Sequence, residues 1–221
     1  MAEISAQLVK DLREQTGAGM MDCKRALGET NGDFAAAKDL LHKKNKALVD
    51  KKAGRIAAEG VVHSYIHSGR IGVLVEVNTE TDFAAKNTDF LQFTKDVAMH
   101  IAAAKPFYLN KDEVPAAELS KQKEIFAAQV RETGKPEQII PKIVEGKIAK
   151  WYGDACLLDQ VWVRDEAKTK TIKELQDDLT GKIGEKISIR RFVRFEVGEG
   201  IEKKKDDFAA EVAAQVAASH A

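Results

Sequence analysis

The residues of this chain that could bind a metal ion or perform covalent catalysis are few, and their spacing suits neither task. His63 and His67 are close enough in sequence to share a metal ion, but no cysteine or glutamate accompanies them at ligand spacing. Gly17 and Gly19 lack both the third glycine and the preceding strand of a dinucleotide-binding loop. The sequence has neither a phosphate-binding loop nor a nucleophile motif with its base. We therefore predict a protein that catalyses no covalent chemistry and needs no cofactor or metal.

The most informative segment is residues 76–83, in which polar side chains precede a phenylalanine. An alternating apolar run over 71–75 comes before it and predicts a half-buried strand, and an Ala-Ala-Lys sequence after it favours a helix. Thr81 or Asp82 could cap that helix by accepting a backbone N–H. Phe83 would then lie at a strand-to-helix corner, where binding groups are often found. By residue type alone, however, Phe83 is more often a core residue that packs the helix onto the strand.

The composition limits the class of protein. The 221 residues are enough for one large or two small domains, and basic and acidic residues, 35 each, give zero formal net charge. Zero net charge disfavours a general nucleic-acid binder, which needs basic residues for the phosphates. The two cysteines, Cys23 and Cys156, form no C-x-x-C motif, so a reducing compartment is expected. No signal-peptide pattern or membrane-spanning apolar run is present, so we predict a cytoplasmic protein that does not contact a membrane.

Residues 1–55 are predicted to form an N-terminal module of three short helices and a linker. Ile4, Leu8 and Leu12 recur at spacing four, which predicts an amphipathic first helix. The other predicted elements of the module are a helix over 20–27, a helix over 34–41 and a Lys-rich helical linker over 43–52. A bundle of this size is marginal for independent stability.

Residues 56–200 are predicted to form an α+β core with an antiparallel sheet. Its predicted elements are strands over 61–66 and 71–77, a helix over 89–104, a helical hairpin over about 115–153, a strand over 157–163, a helix over 171–179 and a last strand. In that last strand one face is predicted to hold Ile187, Ile189, Val193, Phe195 and Val197. Residues 201–221 are predicted to form a C-terminal helical module, with its helix over 204–218.

Four segments of the chain resemble one protein family. Residues 12–27 are similar to the N-terminal signature of elongation factor Ts, and residues 76–86 are similar to its second signature. Residues 99–106 and 194–200 resemble further blocks of the same family. The resemblance extends from Ile4 to the predicted C-terminal helix, and two long motifs in the right order and at the right separation make it specific.

The resemblance implies both a function and a fold. Members of this family act as guanine-nucleotide exchange factors for elongation factor Tu, the GTPase that carries aminoacyl-tRNA to the ribosome. The implied fold is α+β, with an N-terminal three-helix module like the ubiquitin-associated domain, a linker helix, a core with an antiparallel sheet, a projecting helical hairpin and a C-terminal helix. The implied mechanism is binding of the GDP-bound GTPase, displacement of its magnesium ion and release of GDP, without direct contact to nucleic acid.

The resemblance also implies which residues contact the GTPase. Phe83 would be a wedge that enters the GTPase near its magnesium site, and Asp82 would be the polar partner that redirects the magnesium-side contacts. Thr81 and Ala84 complete this turn, and Ala84 stands where the family often has valine. The resemblance therefore reverses the interpretation from residue type: Phe83 is expected to be exposed in the free protein and buried only in a partner.

Three further residues are expected to take part in secondary contacts, again from the resemblance. Arg13 and Lys24 would help to dock the N-terminal module on the nucleotide domain of the GTPase. His100 would support a second contact near the phosphate-binding side. From its place beside the apolar stripe of its predicted helix, His100 is more often a partly buried hydrogen-bonding residue than a functional contact.

The oligomeric state stays open at this stage. Longer family members carry two similar core halves between the two blocks that contain Phe83 and Met99, whereas here these residues are only 16 positions apart. One core half is therefore missing, which would leave a sheet edge and an apolar face uncovered and would favour a homodimer. Monomer and homodimer both remain possible.

Two other classes of function remain as alternatives. The N-terminal module could make the chain a ubiquitin-like-binding or ribosome-associated adaptor, in which case a fragment ending after residue 55 would keep the binding activity. An RNA-binding chaperone would need a basic face, and its activity would fall steeply with salt.

Overall fold

The structure is a computed structural model that describes residues 4–202. These residues form an α+β fold, as predicted. The α-helices of this part of the chain are α1 Ala6–Thr16, α2 Met20–Glu29, α3 Phe34–Lys52, α4 Asp82–Ala85, α5 Thr88–Ala104, α6 Ala116–Glu132, α7 Ile140–Ala155 and α8 Ile172–Ile183. The strands are β1 Glu59–His67, β2 Ile71–Thr79 and β3 Ser188–Glu196, which form an antiparallel sheet in that order. The C-terminal helix predicted over 204–218 lies outside the described residues.

The N-terminal module consists of α1, α2 and α3 packed around a core of their own. Ser5 caps α1 by accepting the N–H of Leu8, and Gly17 ends this helix in a left-handed conformation with φ 70°. Asp33 caps α3 in the same way as Ser5 caps α1. The fully buried side chains of the module are Leu12, Cys23, Ala26, Leu27 and Ala37. The linker predicted over 43–52 is not a separate element, because α3 continues through it.

The main core lies between α5 and one face of the sheet. Strands β1 and β2 form the predicted hairpin, with Val61 opposite Val77 and the turn at Ser68 and Gly69. The inward side chains of β2 pack with the apolar stripe of α5. This contact contains Val73, Val75, Val77, Phe90, Val97 and Ile101. Burial of this apolar area, at about 25 cal/mol per Å² removed from water, is the main favourable contribution to the stability of the core.

A β-bulge in β3 changes which side chains face the core. Val77 pairs with Ile189, but the adjacent Glu76 pairs with Arg191, so Arg190 is an extra residue in β3. Side chains alternate along a strand, and one extra residue therefore moves every later side chain to the opposite face.

The bulge overturns the prediction that the apolar residues of the last strand share one face. Ile187 and Ile189 come before the bulge and are buried, whereas Val193, Phe195 and Val197 come after it and are exposed. The exposed apolar side chains on the face of the sheet away from α5 are Val62, Ile66, Leu74, Val193 and Phe195. We call this surface the outer sheet face.

The strand predicted over 157–163 is also wrong. The chain there forms a 3₁₀ turn at Leu157–Asp159, and Val161 makes only an isolated bridge with Thr171. A short apolar run does not distinguish a strand from another buried segment. Leu157 is fully buried in the main core, which accounts for its apolar type without a strand.

The helical hairpin predicted over about residues 115–153 is present and consists of α6 and α7. Gly134, with φ 70°, lies in the connection, and Pro141 lies in the first turn of α7, as predicted. The hairpin has a small core of its own, which contains Val130, Ile140, Val144 and Ile148.

The close approach of β1 and β2 at Gly60 gives a stability prediction. Gly60 has φ 149°, and a Cβ atom there would lie 2.2 Å from the carbonyl oxygen of Val77. Gly60→Ala should therefore lower the free energy of unfolding by about 2 kcal/mol or more, because the strands must move apart. Gly146→Ala is the matched control: a Cβ there meets no atom within 4 Å. It should raise the free energy of unfolding by up to about 1 kcal/mol through helix propensity. Urea denaturation measures both, and equal unfolding midpoints would contradict the steric argument.

Candidate functional site

The candidate site is the turn of residues 81–84, between β2 and α5. The Thr81 side chain caps α4 by accepting the N–H of Ala84 at 3.3 Å, so Thr81 is the cap among the two predicted candidates, Thr81 and Asp82. Ala84 and Ala85 are buried against the body of the protein. The opposite side of this single helical turn faces solvent, and Phe83 is 81% exposed there. The expectation that Phe83 is exposed in the free protein is therefore confirmed.

Asp82 and Phe83 share one cationic neighbour on this turn. Lys86 donates a hydrogen bond of 2.8 Å to the carboxylate of Asp82, and its Nζ lies 5.9 Å from the centre of the Phe83 ring. The hydrogen bond from Lys86 lowers the pKa of Asp82 and raises the pKa of Lys86. The turn therefore presents an apolar ring beside an ionised carboxylate, and Lys86 contacts both.

Glu185, in the connection between α8 and β3, supports the turn from behind. Its Oε2 accepts the backbone N–H of Thr81 at 3.0 Å and the hydroxyl of Thr79 at 3.1 Å. Its Oε1 accepts the hydroxyl of Thr81 at 2.8 Å. Three donors therefore converge on one carboxylate, all from the end of β2 and the start of the 81–84 turn.

Glu80 links the same turn to the N-terminal module. Its carboxylate accepts hydrogen bonds from Lys52 at 3.2 Å, from Arg55 at 2.8 Å and from the backbone N–H of Lys186 at 2.7 Å. The pKa of Glu80 is lowered to about 2. The hydrogen bond from Arg55 is the largest cause, and the hydrogen bond from the Lys186 N–H is the next largest. Lys52 is itself buried at the end of α3. A buried lysine is accommodated because Glu80 pairs with it.

Arg13 and Lys24 lie on the N-terminal module, on α1 and α2 respectively, and not on the 81–84 turn. Both side chains are exposed, as a docking contact requires. Met20 and Met21, at the start of α2, are also exposed. The site residues expected from the sequence thus fall into two groups: one on the 81–84 turn and one on the first two helices.

His100 is fully buried in α5 and does not belong to either group. Its Nε2 lies 2.9 Å from Oε1 of Gln160, and its Nδ1 accepts the backbone N–H of Val163 at 3.3 Å. This pair of bonds defines a neutral imidazole that is protonated on Nε2, and burial lowers its pKa. A buried ring cannot touch a partner directly, so any support that His100 gives to a second contact acts through the Gln160–Val163 segment.

Sequence reasoning missed the support beneath the turn. Glu185 and Lys186 have no motif, and they are more than 100 residues from Thr81. Glu80 lies within the second signature, but its ion pairs with Lys52 and Arg55 follow only from the way α3 reaches the core. Among residues 4–202 no cluster of three or more His, Cys, Asp or Glu side chains could hold a metal ion. Within the same range, no helix is long and apolar enough to cross a membrane.

The sequence of this chain is similar to those of known proteins of one family. Residues 36–199 match the family model described as Elongation factor TS. The chain is 58% identical to the elongation factor Ts of Desulforamulus reducens over 219 residues, which is 99% of this chain and 100% of the relative. It is 56% identical to the elongation factor Ts of Myxococcus xanthus, over 96% of this chain and 97% of the relative. It is 58% identical to the elongation factor Ts of Geobacter sulfurreducens, over 96% of this chain and 97% of the relative.

The lowered pKa of Glu80 gives a pH-dependence prediction. The carboxylate has a pKa of about 2 in the folded chain, against an ordinary value of 4.5, so its ionised form stabilises the fold. This contribution is complete above pH 4.5 and is lost as the pH falls towards 2. Glu80→Gln should be less stable than the wild type at pH 7, and the difference should shrink between pH 4.5 and 2.

Urea denaturation of both proteins across this pH range measures the difference. Glu145→Gln, at an exposed position of α7, controls for the loss of one carboxylate. A difference between wild type and Glu80→Gln that stays constant down to pH 2 would contradict the assignment.

Proposed function

The chain belongs to the elongation factor Ts family, and we propose that it acts as a guanine-nucleotide exchange factor for elongation factor Tu. Family membership gives it a role in translation elongation. In the proposed reaction the chain binds the GDP-bound GTPase in the cytoplasm, inserts the 81–84 turn near the magnesium ion and promotes release of GDP. The observation that carries the proposal is the exposure of Phe83 on a capped turn.

The environment of Phe83 supports its role as the wedge. An aromatic ring that is 81% exposed contributes little to the stability of the free chain. On insertion into an apolar pocket the same ring would lose its contact with water, and buried aromatic anchors are among the residues that dominate binding energies. The buried Ala84 and Ala85 fix the base of the turn from which the ring projects.

Asp82 would act on the magnesium side of the nucleotide site. Its carboxylate is ionised and paired only with the exposed Lys86 in the described structure, and an exposed pair of this kind is weak. The carboxylate can therefore exchange Lys86 for new partners in the GTPase. Displacement of the magnesium ion would remove the largest local charge that holds the phosphates of GDP.

Exchange of this kind follows from differential binding and needs no acid, base or metal of its own. An exchange protein that prefers the nucleotide-free GTPase lowers the affinity of the GTPase for nucleotide. Bound nucleotide lowers the affinity of the GTPase for the exchange protein by the same ratio. Arg13 and Lys24 would dock the N-terminal module on the nucleotide domain, where the exposed Met20 and Met21 would add apolar contact area.

For the oligomeric state, we propose a homodimer formed through the outer sheet face. This face carries a contiguous group of apolar side chains, because Leu74 pairs with Val193 and Gly72 pairs with both Ile66 and Phe195. At one end Glu76 pairs with Arg190 and Arg191 of the same chain, so the outer sheet face carries both negatively and positively charged groups. A patch that is apolar and contains both charges can be complementary to a second copy of itself, as a two-fold interface requires.

The exchange hypothesis predicts the effect of two substitutions in the 81–84 turn. Wild type should accelerate the release of labelled GDP from elongation factor Tu. Phe83→Ala should reduce this acceleration about tenfold or more, because the loss of a central aromatic anchor costs about 2 kcal/mol or more. Asp82→Ala should also reduce the acceleration, while the variant stays folded.

Phe107→Ala is the matched control, since Phe107 is 69% exposed but lies outside the turn. It should release GDP at the wild-type rate. Equal rates for wild type, Phe83→Ala and Asp82→Ala would rule out the assignment of the turn. No acceleration by the wild type would rule out the function itself.

The homodimer hypothesis predicts a change of mass in solution. Phe195→Asp places a charge on the outer sheet face and should convert the dimer into a monomer, as measured by sedimentation equilibrium. Phe107→Asp, at an equally exposed phenylalanine elsewhere, should remain dimeric. A wild-type protein that sediments as a monomer at all micromolar concentrations would refute the proposal.

A further inference from the structure

The exposure of Phe83 raises the question of what holds it in place. A buried side chain is oriented by the atoms packed around it, whereas a ring that is 81% exposed has few such contacts. Lys86 is the cation beside the ring, but it is itself exposed, and an exposed contact of this kind is weak. The direction of Phe83 must therefore be set through the backbone of the 81–84 turn.

Glu185 controls the orientation of the Thr81 hydroxyl, and through it the cap of α4. The hydroxyl donates its hydrogen to Glu185 Oε1 at 2.8 Å. Its lone pairs are then left for the N–H of Ala84, which donates to it at 3.3 Å. The same carboxylate accepts the Thr81 N–H. Phe83 lies between the two ends of this cap, so the position of its backbone follows from the carboxylate.

Lys186, the next residue, holds the end of the N-terminal module. Its Nζ donates to the carbonyl oxygens of Ala53 and Arg55 at 2.7 and 2.8 Å, just after α3 ends. Its backbone N–H donates to Glu80, which also accepts from Lys52 and Arg55. Two adjacent residues thus contact the two parts of the chain that carry the proposed partner contacts.

We propose that Glu185 is a positioning residue for Phe83 and that Lys186 fixes the N-terminal module relative to it. This inference rests on the proposed exchange function. Loss of Glu185 would leave the turn folded but free to adopt several orientations, and the ordering of these orientations would then oppose insertion. The effect should be expressed mainly through Phe83, with a smaller part through Asp82 on the same turn.

A double-mutant cycle tests this role with a readout that general destabilisation does not produce. Glu185→Ala should lower the second-order rate constant for exchange-factor-stimulated GDP release about tenfold in the wild-type background. In the Phe83→Ala background the same substitution should lower it less than twofold, because the ring that Glu185 positions is already missing. Glu185→Gln keeps one of the two acceptor oxygens and should recover part of the loss.

Glu174→Ala provides a matched control. Glu174 accepts the N–H and the hydroxyl of Thr171 at 2.8 and 3.1 Å at the start of α8, which is the chemistry of Glu185 and Thr81 at another helix. Its loss should leave the rate constant at the wild-type value. A second measurement needs no GTPase: the amide of Ala84 should exchange with deuterium faster in Glu185→Ala than in the wild type.

The outcomes separate this inference from the function on which it rests. If the wild type accelerates GDP release and Glu185→Ala does so equally well, the positioning role is refuted and the exchange function stands. A tenfold loss that is equally large in the Phe83→Ala background refutes it as well, as does unchanged exchange of the Ala84 amide. If the wild type gives no acceleration, the exchange function fails and the role in exchange fails with it.

Discussion

Two carboxylates connect three chain segments of this molecule at one junction. Glu80 and Glu185 together accept hydrogen bonds from the end of α3, from the 81–84 turn and from the start of the segment that leads into β3. The pKa of about 2 for Glu80 indicates how strongly its environment favours the ionised form. Charge-assisted hydrogen bonds thus act together with apolar packing to fix the relative positions of the three segments.

Much of this arrangement could be predicted from local sequence, because helices and hairpins depend on neighbouring residues. The Thr81 cap, the β1–β2 hairpin and the α6–α7 hairpin were all predictable from capping chemistry, alternation and glycine positions. The exposure of Phe83 was not, since residue type favours burial and only the resemblance of the flanking segment indicated the opposite. Glu185 could not be found at all, because its partners are 104 or more positions away and no periodicity connects them.

The bulge at Arg190 shows how one extra residue can make a prediction from strand alternation wrong. Alternation from Ile187 to Val197 suggested a single apolar face, and the pattern itself is present in the sequence. The extra residue divides this apolar pattern into two parts. The side chains before the bulge pack in the main core, and those after it form part of the outer sheet face. Both Arg190 and Arg191 can then pair with Glu76, and they lower its pKa to about 2. The same irregularity therefore creates the apolar surface on which the proposed homodimer depends.

The rigid attachment of the 81–84 turn has a thermodynamic consequence for the proposed exchange reaction. If Phe83 had orientational freedom in the free chain, insertion into the partner would remove it. The entropic cost would then reduce the binding free energy that is available to weaken nucleotide binding. In its proposed positioning role, Glu185 would remove that freedom during folding through its hydrogen bonds to Thr81, before the partner is met. Because Lys186 and Glu80 also hold the end of α3, contact of the N-terminal module with a partner would present Phe83 at a fixed place. In the proposed reaction the contact energy of the ring would then be available to displace the magnesium ion and GDP, and none of it would be needed to order the turn.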